Sequence, residues 1–413
     1  MVTKYDIFEI AYSNRHPMKP VEVVRKLKKD ESEYDNVHRL LTELSHENLL
    51  TKTNYGFQAK KSEKAKMLYD IIYHCLRNDI NYNDLLNPTL AKFLSRALQK
   101  KEIVSKEVNI NPRTLKKYVE ILDKNGLILV ISEKPLRVKV FYNILLNNLL
   151  VYFGYKHSVI TEETLNYYAE IKRELLRFKS LRRRNERKYQ QIVSEFEISF
   201  VYHSLSLEGN PITLKQTRKI LKDKIVPANL KDEDMDEVKN YRNAILQMIK
   251  DSQAKEPLTL QAILDYHYTA MRHHPEFAGQ LRKVEVHIKG NPGFRITKAK
   301  NIEKELTILL GKYMDFIKKK KLSLNEILDF AVYFHNEFQH IHPFEDGNSR
   351  TTRLITFHVL QSKGIPILDI PFGLLDEYLN YTKGSKKRND KKLNQNLQKI
   401  VLYNLRKINE KIS

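Results

Sequence analysis

Apolar residues recur along this 413-residue chain mainly at helical spacing. Val37, Leu40, Leu41 and Leu44 stand three and four apart within Tyr34 to Leu44. Ile327, Leu328, Ala331, Val332, Phe334 and Phe338 repeat the pattern, and Leu354, Phe357 and Leu360 begin another such run. Each set gathers its side chains on one stripe of a helix. Period-two alternation is confined to short stretches. Leu49 to Phe57 reads as strand, turn and strand, and Leu127 to Ile131 with Val138 to Tyr142 as a second hairpin around Glu133-Lys134-Pro135. Val284, Val286 and Ile288 predict a strand ahead of the turn-forming Gly290-Asn291-Pro292-Gly293. The pattern as a whole is that of a mainly α protein with small β pieces.

Near the amino terminus one grammar occurs twice. Pro20 to Leu27 and Tyr34 to Leu44 lead into the first hairpin; Ile103 to Val108 and Asn111 to Leu122 lead into the second. Pro112 suits a first helical turn, and Asn125-Gly126 stops that helix. Both stretches resemble winged helix-turn-helix modules (α+β), the second more closely. The resemblance implies a helix that enters a DNA groove, with Arg113, Lys116 and Lys117 meeting phosphates or base edges. The first copy carries Asp35, Glu43 and Glu47 on the equivalent helix, which a phosphate backbone repels. Tandem modules of this kind also make protein contacts, so DNA, a protein partner and a homodimer all stay open.

Composition sets outer bounds. A chain of this length with 41% apolar residues forms more than one domain. The expected divisions are a first winged-helix module at 1–62, a second at 63–155, a basic linker helix at 156–197 and a catalytic body at 198–413. The lone Cys75 excludes an internal disulfide framework. The amino terminus lacks a charged-then-apolar leader pattern, and no apolar run is long enough to span a bilayer, so the expectation is a cytoplasmic protein with no membrane partner. The formal charge of +22 points toward an acidic partner or a lysine-rich solvated surface without choosing between them. Residues 172–188 concentrate that charge: nine Lys and Arg stand there against Glu174 and Glu186.

The densest chemistry lies in His340-Ile341-His342-Pro343-Phe344-Glu345-Asp346-Gly347-Asn348-Ser349-Arg350-Thr351-Thr352-Arg353, between two predicted helices. Gly347 permits a tight turn, and Asn348 is a favourable N-cap for the helix that follows. Amides at such a helix start form an anion site, and Arg350 and Arg353, three residues apart, lie beside it on nearly one face. Asp346 is placed to hold a magnesium ion that bridges phosphates, and His342 to take a proton from an attacking hydroxyl. A metal cluster of His335, His340 and His342 would want carboxylate or thiol partners, and the order supplies arginines instead.

The run from His342 to Arg350, with Arg353 three further on, resembles the signature loop of Fic-domain proteins. The resemblance implies an all-α Fic core with a small hairpin flap. It further implies transfer of AMP from ATP onto a Ser, Thr or Tyr hydroxyl of a target protein or of the enzyme itself. His342 would be the base and Asp346 the magnesium ligand, with Phe344, Gly347, Asn348, Ser349, Arg350 and Arg353 forming the nucleotide site. Ser349 stands where the family pattern usually has glycine. Upstream, Ser204, three residues and then Glu208-Gly209 resemble the inhibitory motif of the subclass that carries its own brake ahead of the core. Val284, Val286 and Ile288 resemble the family's flap, which registers the target segment by strand addition. Removal of AMP by the same site and a DNA-bound regulator with a sensor core stay open as alternatives. The modified protein is not named by the sequence.

Overall fold

The computed structural model describes residues 2–155, 166–288, 291, 293–382 and 388–413. In chain order the first elements are α1 (Lys4–Ser13), α2 (Pro20–Lys26), α3 (Tyr34–His46), β1 (Leu50–Thr53), β2 (Gly56–Ala59), α4 (Glu63–Arg77), α5 (Tyr82–Leu85) and α6 (Pro88–Ala97). Next come β3 (Ile103–Val104), α7 (Pro112–Lys124), β4 (Ile128–Glu133), β5 (Leu136–Val140) and α8 (Ile144–Tyr152). The remainder is helical: α9 (Tyr168–Arg184), α10 (Glu186–Ser206), α11 (Leu214–Arg218), α12 (Asp232–Ala254), α13 (Leu260–Ala270), α14 (Ile302–Lys318), α15 (Leu324–Ile341), α16 (Asn348–Ser362), α17 (Leu375–Tyr381) and α18 (Asp390–Ile412).

The chain divides into two compact units. Residues 1–100 and 144–159 make the first. In it β1 and β2 pair antiparallel with Leu50 opposite Ala59, and Met18 bridges to Phe57. Val37, Leu40, Leu41 and Leu44 of α3 are buried as their spacing predicts. Residues 101–143 and 160–413 make the second, so the stretch read from sequence as one module at 63–155 contributes to both units. Within the second unit β3, β5 and β4 form a three-stranded antiparallel sheet in that order. Lys407 of α18 pairs with Asp123 at the end of α7, Arg406 donates to the Ile131 carbonyl, and the Gly373 amide donates to the Gly126 carbonyl. A side chain at Gly373 would meet that carbonyl at 2.7 Å, so glycine is required for this approach.

α16 is the centre of the second unit. Every residue from Asn348 to Leu360 is buried, and α12, α13 and α15 pack around it. Its neighbour α15 starts with a capping box: Ser323 accepts from the Glu326 amide, and Glu326 accepts from the Ser323 amide. α15 ends where His342 turns into the left-handed region at φ 50°. α18, which the apolar pattern left unread, lies against α9, α10 and α15 and buries Leu397, Ile400, Val401, Leu405 and Ile408. No helix among the described residues is long and apolar enough to cross a membrane.

The expected strand at Val284, Val286 and Ile288 is not formed: residues 281–288 carry no ladder among the described residues. The reason is visible at Arg282. Its buried guanidinium takes the carbonyls of Val284 and Thr297, acceptors that a two-stranded ladder would need. Val284 is exposed, and Val286 and Ile288 are half-buried. Gly290 and Pro292 of the expected turn lie outside the described residues.

Candidate active site

The site begins with a helix that is made to stop. At His342 the backbone leaves α15, and the main-chain amide of His342 donates to the Phe338 carbonyl at 2.9 Å to close the last turn. A left-handed conformation is strained for a residue with a side chain, so it persists only because the surroundings fix it. Two contacts do so: the Arg282 Nε donates to the His342 carbonyl at 2.7 Å, and the Arg282 amide donates to the Pro343 carbonyl at 2.9 Å. The imidazole is half-buried, with Nδ1 3.3 Å from the Gln339 carbonyl. A carbonyl only accepts, so Nδ1 carries a proton there, which in the neutral ring leaves the lone pair on Nε2.

The loop then closes on itself. Asn348 accepts from the Phe344 amide at 3.0 Å and donates to the Phe344 carbonyl at 2.8 Å, so both ends of its side-chain amide brace the turn. Gly347, not Asn348, is the N-cap of α16. It sits at φ 76°, where a Cβ would meet Met271 at 2.9 Å and His267 Nε2 at 3.0 Å. The first amides of α16 have no acceptor within their own helix and face the loop. Phe344, expected in the nucleotide site, is fully buried and stacks on His267 with ring centres 3.6 Å apart, so its side chain builds the core instead. Ser349 is buried in the first turn of α16.

Charge is concentrated behind this turn. Arg350 pairs with Glu237 of α12 and, at 2.8 Å, with Asp346. Burial would push the Asp346 carboxyl up, but the Arg350 guanidinium and the Gly347 amide hold it below the usual carboxylate range. Arg353 is almost wholly buried, and such an arginine needs partners. Its Nε donates to Ser204 Oγ at 2.6 Å, and one terminal nitrogen donates to the Ser204 carbonyl at 3.1 Å and to Glu208 at 2.9 Å. Burial opposes its charge, and Glu208 restores it, so the guanidinium stays protonated.

Ser204 and Glu208 are brought there by α10, whose end is fixed by Gly209 at φ 95° and by Asn210 donating to Glu237 at 2.7 Å. Ser204 also donates to the Tyr241 hydroxyl at 2.7 Å. One residue earlier, His203 Nδ1 lies 3.0 Å from both carboxylate oxygens of buried Asp369. Glu237, Tyr241, His267 and Asp369 were not singled out by the sequence reading. They come from α12, α13 and the segment before α17, and no local motif marks them.

The three histidines weighed as a metal cluster have separate partners. His335 meets the Tyr378 hydroxyl at 2.8 Å, and His340 meets the Arg295 carbonyl at 2.8 Å and stacks on Phe294. No group of three or more His, Cys, Asp or Glu side chains is gathered for a metal among the described residues. Arg113, Lys116 and Lys117 are exposed on α7, with Lys116 3.7 Å from Glu120.

Residues 257–360 match the model of the Fic/DOC family. A 188-residue stretch is 28% identical to the Protein adenylyltransferase Fic of Drosophila erecta, covering 44% of this chain and 36% of that protein. The same protein of Drosophila persimilis gives 28% identity, with 44% and 35% covered. The chain thus spans little more than a third of the length of these curated relatives. Among solved structures, a Fic domain-containing signalling protein from Bacteroides thetaiotaomicron superposes with a TM-score of 0.52 at 23% identity, over 59% of this chain and 97% of that one. That likeness is one of fold. The chain contains a Fic domain, and α15, the His342 turn and most of α16 lie within it.

Proposed function

We propose that this protein is a self-inhibited protein adenylyltransferase, transferring AMP from ATP to a Ser, Thr or Tyr hydroxyl of a target or of itself. The observation that carries the reading is one arrangement: a helix broken at His342, an amide-lined turn at Gly347, and Arg350 and Arg353 behind it, with Arg353 held by Glu208. Of the nine positions from His342 to Arg350, eight follow the Fic signature and Ser349 stands where it usually has glycine.

In the reaction the target hydroxyl forms a bond to the α-phosphorus, the bond from that phosphorus to the β-bridging oxygen breaks, and pyrophosphate leaves. His342 Nε2 takes the hydroxyl proton. The first amides of α16 and Arg350 face the charge that grows on the phosphoryl oxygens. Asn348 acts by bracing the turn. Magnesium is carried with ATP, and a single carboxylate beside substrate phosphates suits it, so Asp346 would hold it once Arg350 yields one oxygen. When bound, the ion neutralises phosphate charge. Arg353 would grip the γ-phosphate; in the pair with Glu208 it is withheld.

The test is radiolabel from α-labelled ATP taken up by purified protein with magnesium. His342→Ala should abolish transfer, by 100-fold or more as general-base loss allows, while calorimetric ATP affinity stays within a few-fold. Transfer at the parent rate would remove the base assignment. Removal of AMP, with Glu208 aligning a water, is distinguished by whether AMP-modified protein loses its label with Glu208 intact.

A second reading concerns the helix-plus-hairpin groups, which we take as winged-helix modules. It is favoured by the exposed basic face of α7. Replacing Lys116 and Lys117 by glutamate should weaken duplex DNA binding and flatten its salt dependence without changing self-labelling. Unchanged affinity assigns this face to a protein contact.

A further inference from the structure

His267 and Arg282 are buried polar residues that the chemistry above does not use. His267 projects from α13 between two segments that are far apart in sequence. Its Nδ1 accepts from the Gly279 amide at 2.8 Å, so Nδ1 is unprotonated and the hydrogen is on Nε2. Nε2 then donates to the Asp346 carbonyl at 2.9 Å. The ring lies parallel to Phe344, at an interplanar angle of 6°, and its edge fills the space that a side chain at position 347 would need. Three residues after Gly279, Arg282 binds the His342 carbonyl and Pro343 carbonyl on the loop side, and the Val284 and Thr297 carbonyls on the side of the segment expected as a flap. The Thr297 amide returns a bond to the His340 carbonyl at 2.8 Å.

We propose that His267 and Arg282 are positioning residues forming a two-point clamp that makes the stretches 279–288 and 293–299 one mechanical unit with the 340–348 loop. His267 sets the height of Asp346 and Gly347 against Gly279, and Arg282 sets the His342 turn against both legs of the segment. A target strand registered by the segment is thereby registered against the base. The inference builds on the transferase reading, but the clamp itself is a statement about backbone restraint and is read without activity.

Two substitutions separate its arms. His267→Asn retains an acceptor near the Nδ1 position and loses the donor to Asp346; His267→Gln extends a donor to the Nε2 position and loses the acceptor for Gly279. Hydrogen exchange of the intact protein is measured with its melting temperature. A lost buried hydrogen bond corresponds to about ten- to thirtyfold in local opening. His267→Asn should speed exchange by that factor at 344–349 only, His267→Gln at 279–284 only, and Arg282→Gln at both segments. In the Glu208→Gly background, His267→Asn should lower the rate of self-labelling from α-labelled ATP by a similar factor. A uniform rise across the domain, or the same exchange profile in the two His267 variants, overturns the clamp. Absence of transfer in the Glu208→Gly parent overturns the transferase reading and leaves the exchange test standing.

Discussion

At the scale of single residues the decisive pair is Glu208 and Arg353. The Arg353 side chain is 2% exposed and that of Glu208 is 16% exposed, so neither charge has water as an adequate alternative partner. Removing one member of a buried pair leaves the other uncompensated, at a cost of about 3–5 kcal/mol. On the proposed function, ATP would offer Arg353 a replacement partner and Glu208 would compete with it. Glu208→Gly should therefore raise self-labelling by about one to two orders of magnitude, since each 1.4 kcal/mol is roughly tenfold in rate. Glu208→Asp should release less, because a shorter carboxylate still partly reaches. Arg353→Ala should not activate, since it removes the partner of both brake and phosphate. Equal labelling of parent and Glu208→Gly protein would return Glu208 to the role of a helix-end residue. The motif residues were legible because they stand within a few positions of one another. Asn348 and Phe344 were legible as members of the loop but not in their roles, since bracing a turn and filling a core depend on what packs behind it.

At the scale of elements, α10 carries Ser204 and leads into Glu208, so its seating is the quantity to perturb in testing the proposed brake. His203 binds Asp369, whose carboxyl is pushed up by burial and drawn back by the imidazole beside it. His203→Phe keeps the volume and takes the imidazole from that carboxyl, leaving it the Ile370 amide, so it should cost about 3 kcal/mol and several degrees of melting temperature. If α10 positions Glu208, the same change should raise self-labelling several-fold and add nothing in the Glu208→Gly background. A further rise in that double variant would place His203 outside the brake. Sequence periodicity found α3, α15 and α16 because each has an apolar stripe in contact with a core. It mistook 284–288 for a strand because alternation reports only which side chains could share a face. Arg282, fully buried by its neighbours, spends the needed carbonyls on itself.

At the scale of the whole molecule, buried neutral histidines couple stability to pH. His335 and His267 are held neutral, each lowered to about 4, chiefly by burial. In the unfolded chain they titrate near 6.5. As pH falls below that value the unfolded state takes up protons that the folded state refuses until about 4, so stability is full above 6.5 and is lost as pH falls toward 4. Each site contributes up to about 1.4 kcal/mol per pH unit in that window. His335→Gln, which keeps an acceptor for the Tyr378 hydroxyl and does not titrate, should reduce the slope of unfolding free energy by about that amount between pH 6 and pH 4.5. An unchanged slope in urea titrations would assign the acid sensitivity elsewhere.

The sequence by itself determined what is local: a mainly helical chain, a loop carrying a histidine, an aspartate, a glycine turn and two arginines, and a Ser-x3-Glu-Gly helix end upstream. These features follow from propensity, spacing and turn chemistry within about a dozen residues. Tertiary structure alone decided which distant groups complete them. Arg353 finds Ser204 and Glu208 across some 150 positions of chain. Arg350 finds Glu237, and His267 joins Gly279 to Asp346. Buried polar atoms must be satisfied by whatever the packing brings within 3 Å, and a linear pattern records which residues are polar but not which one will be there.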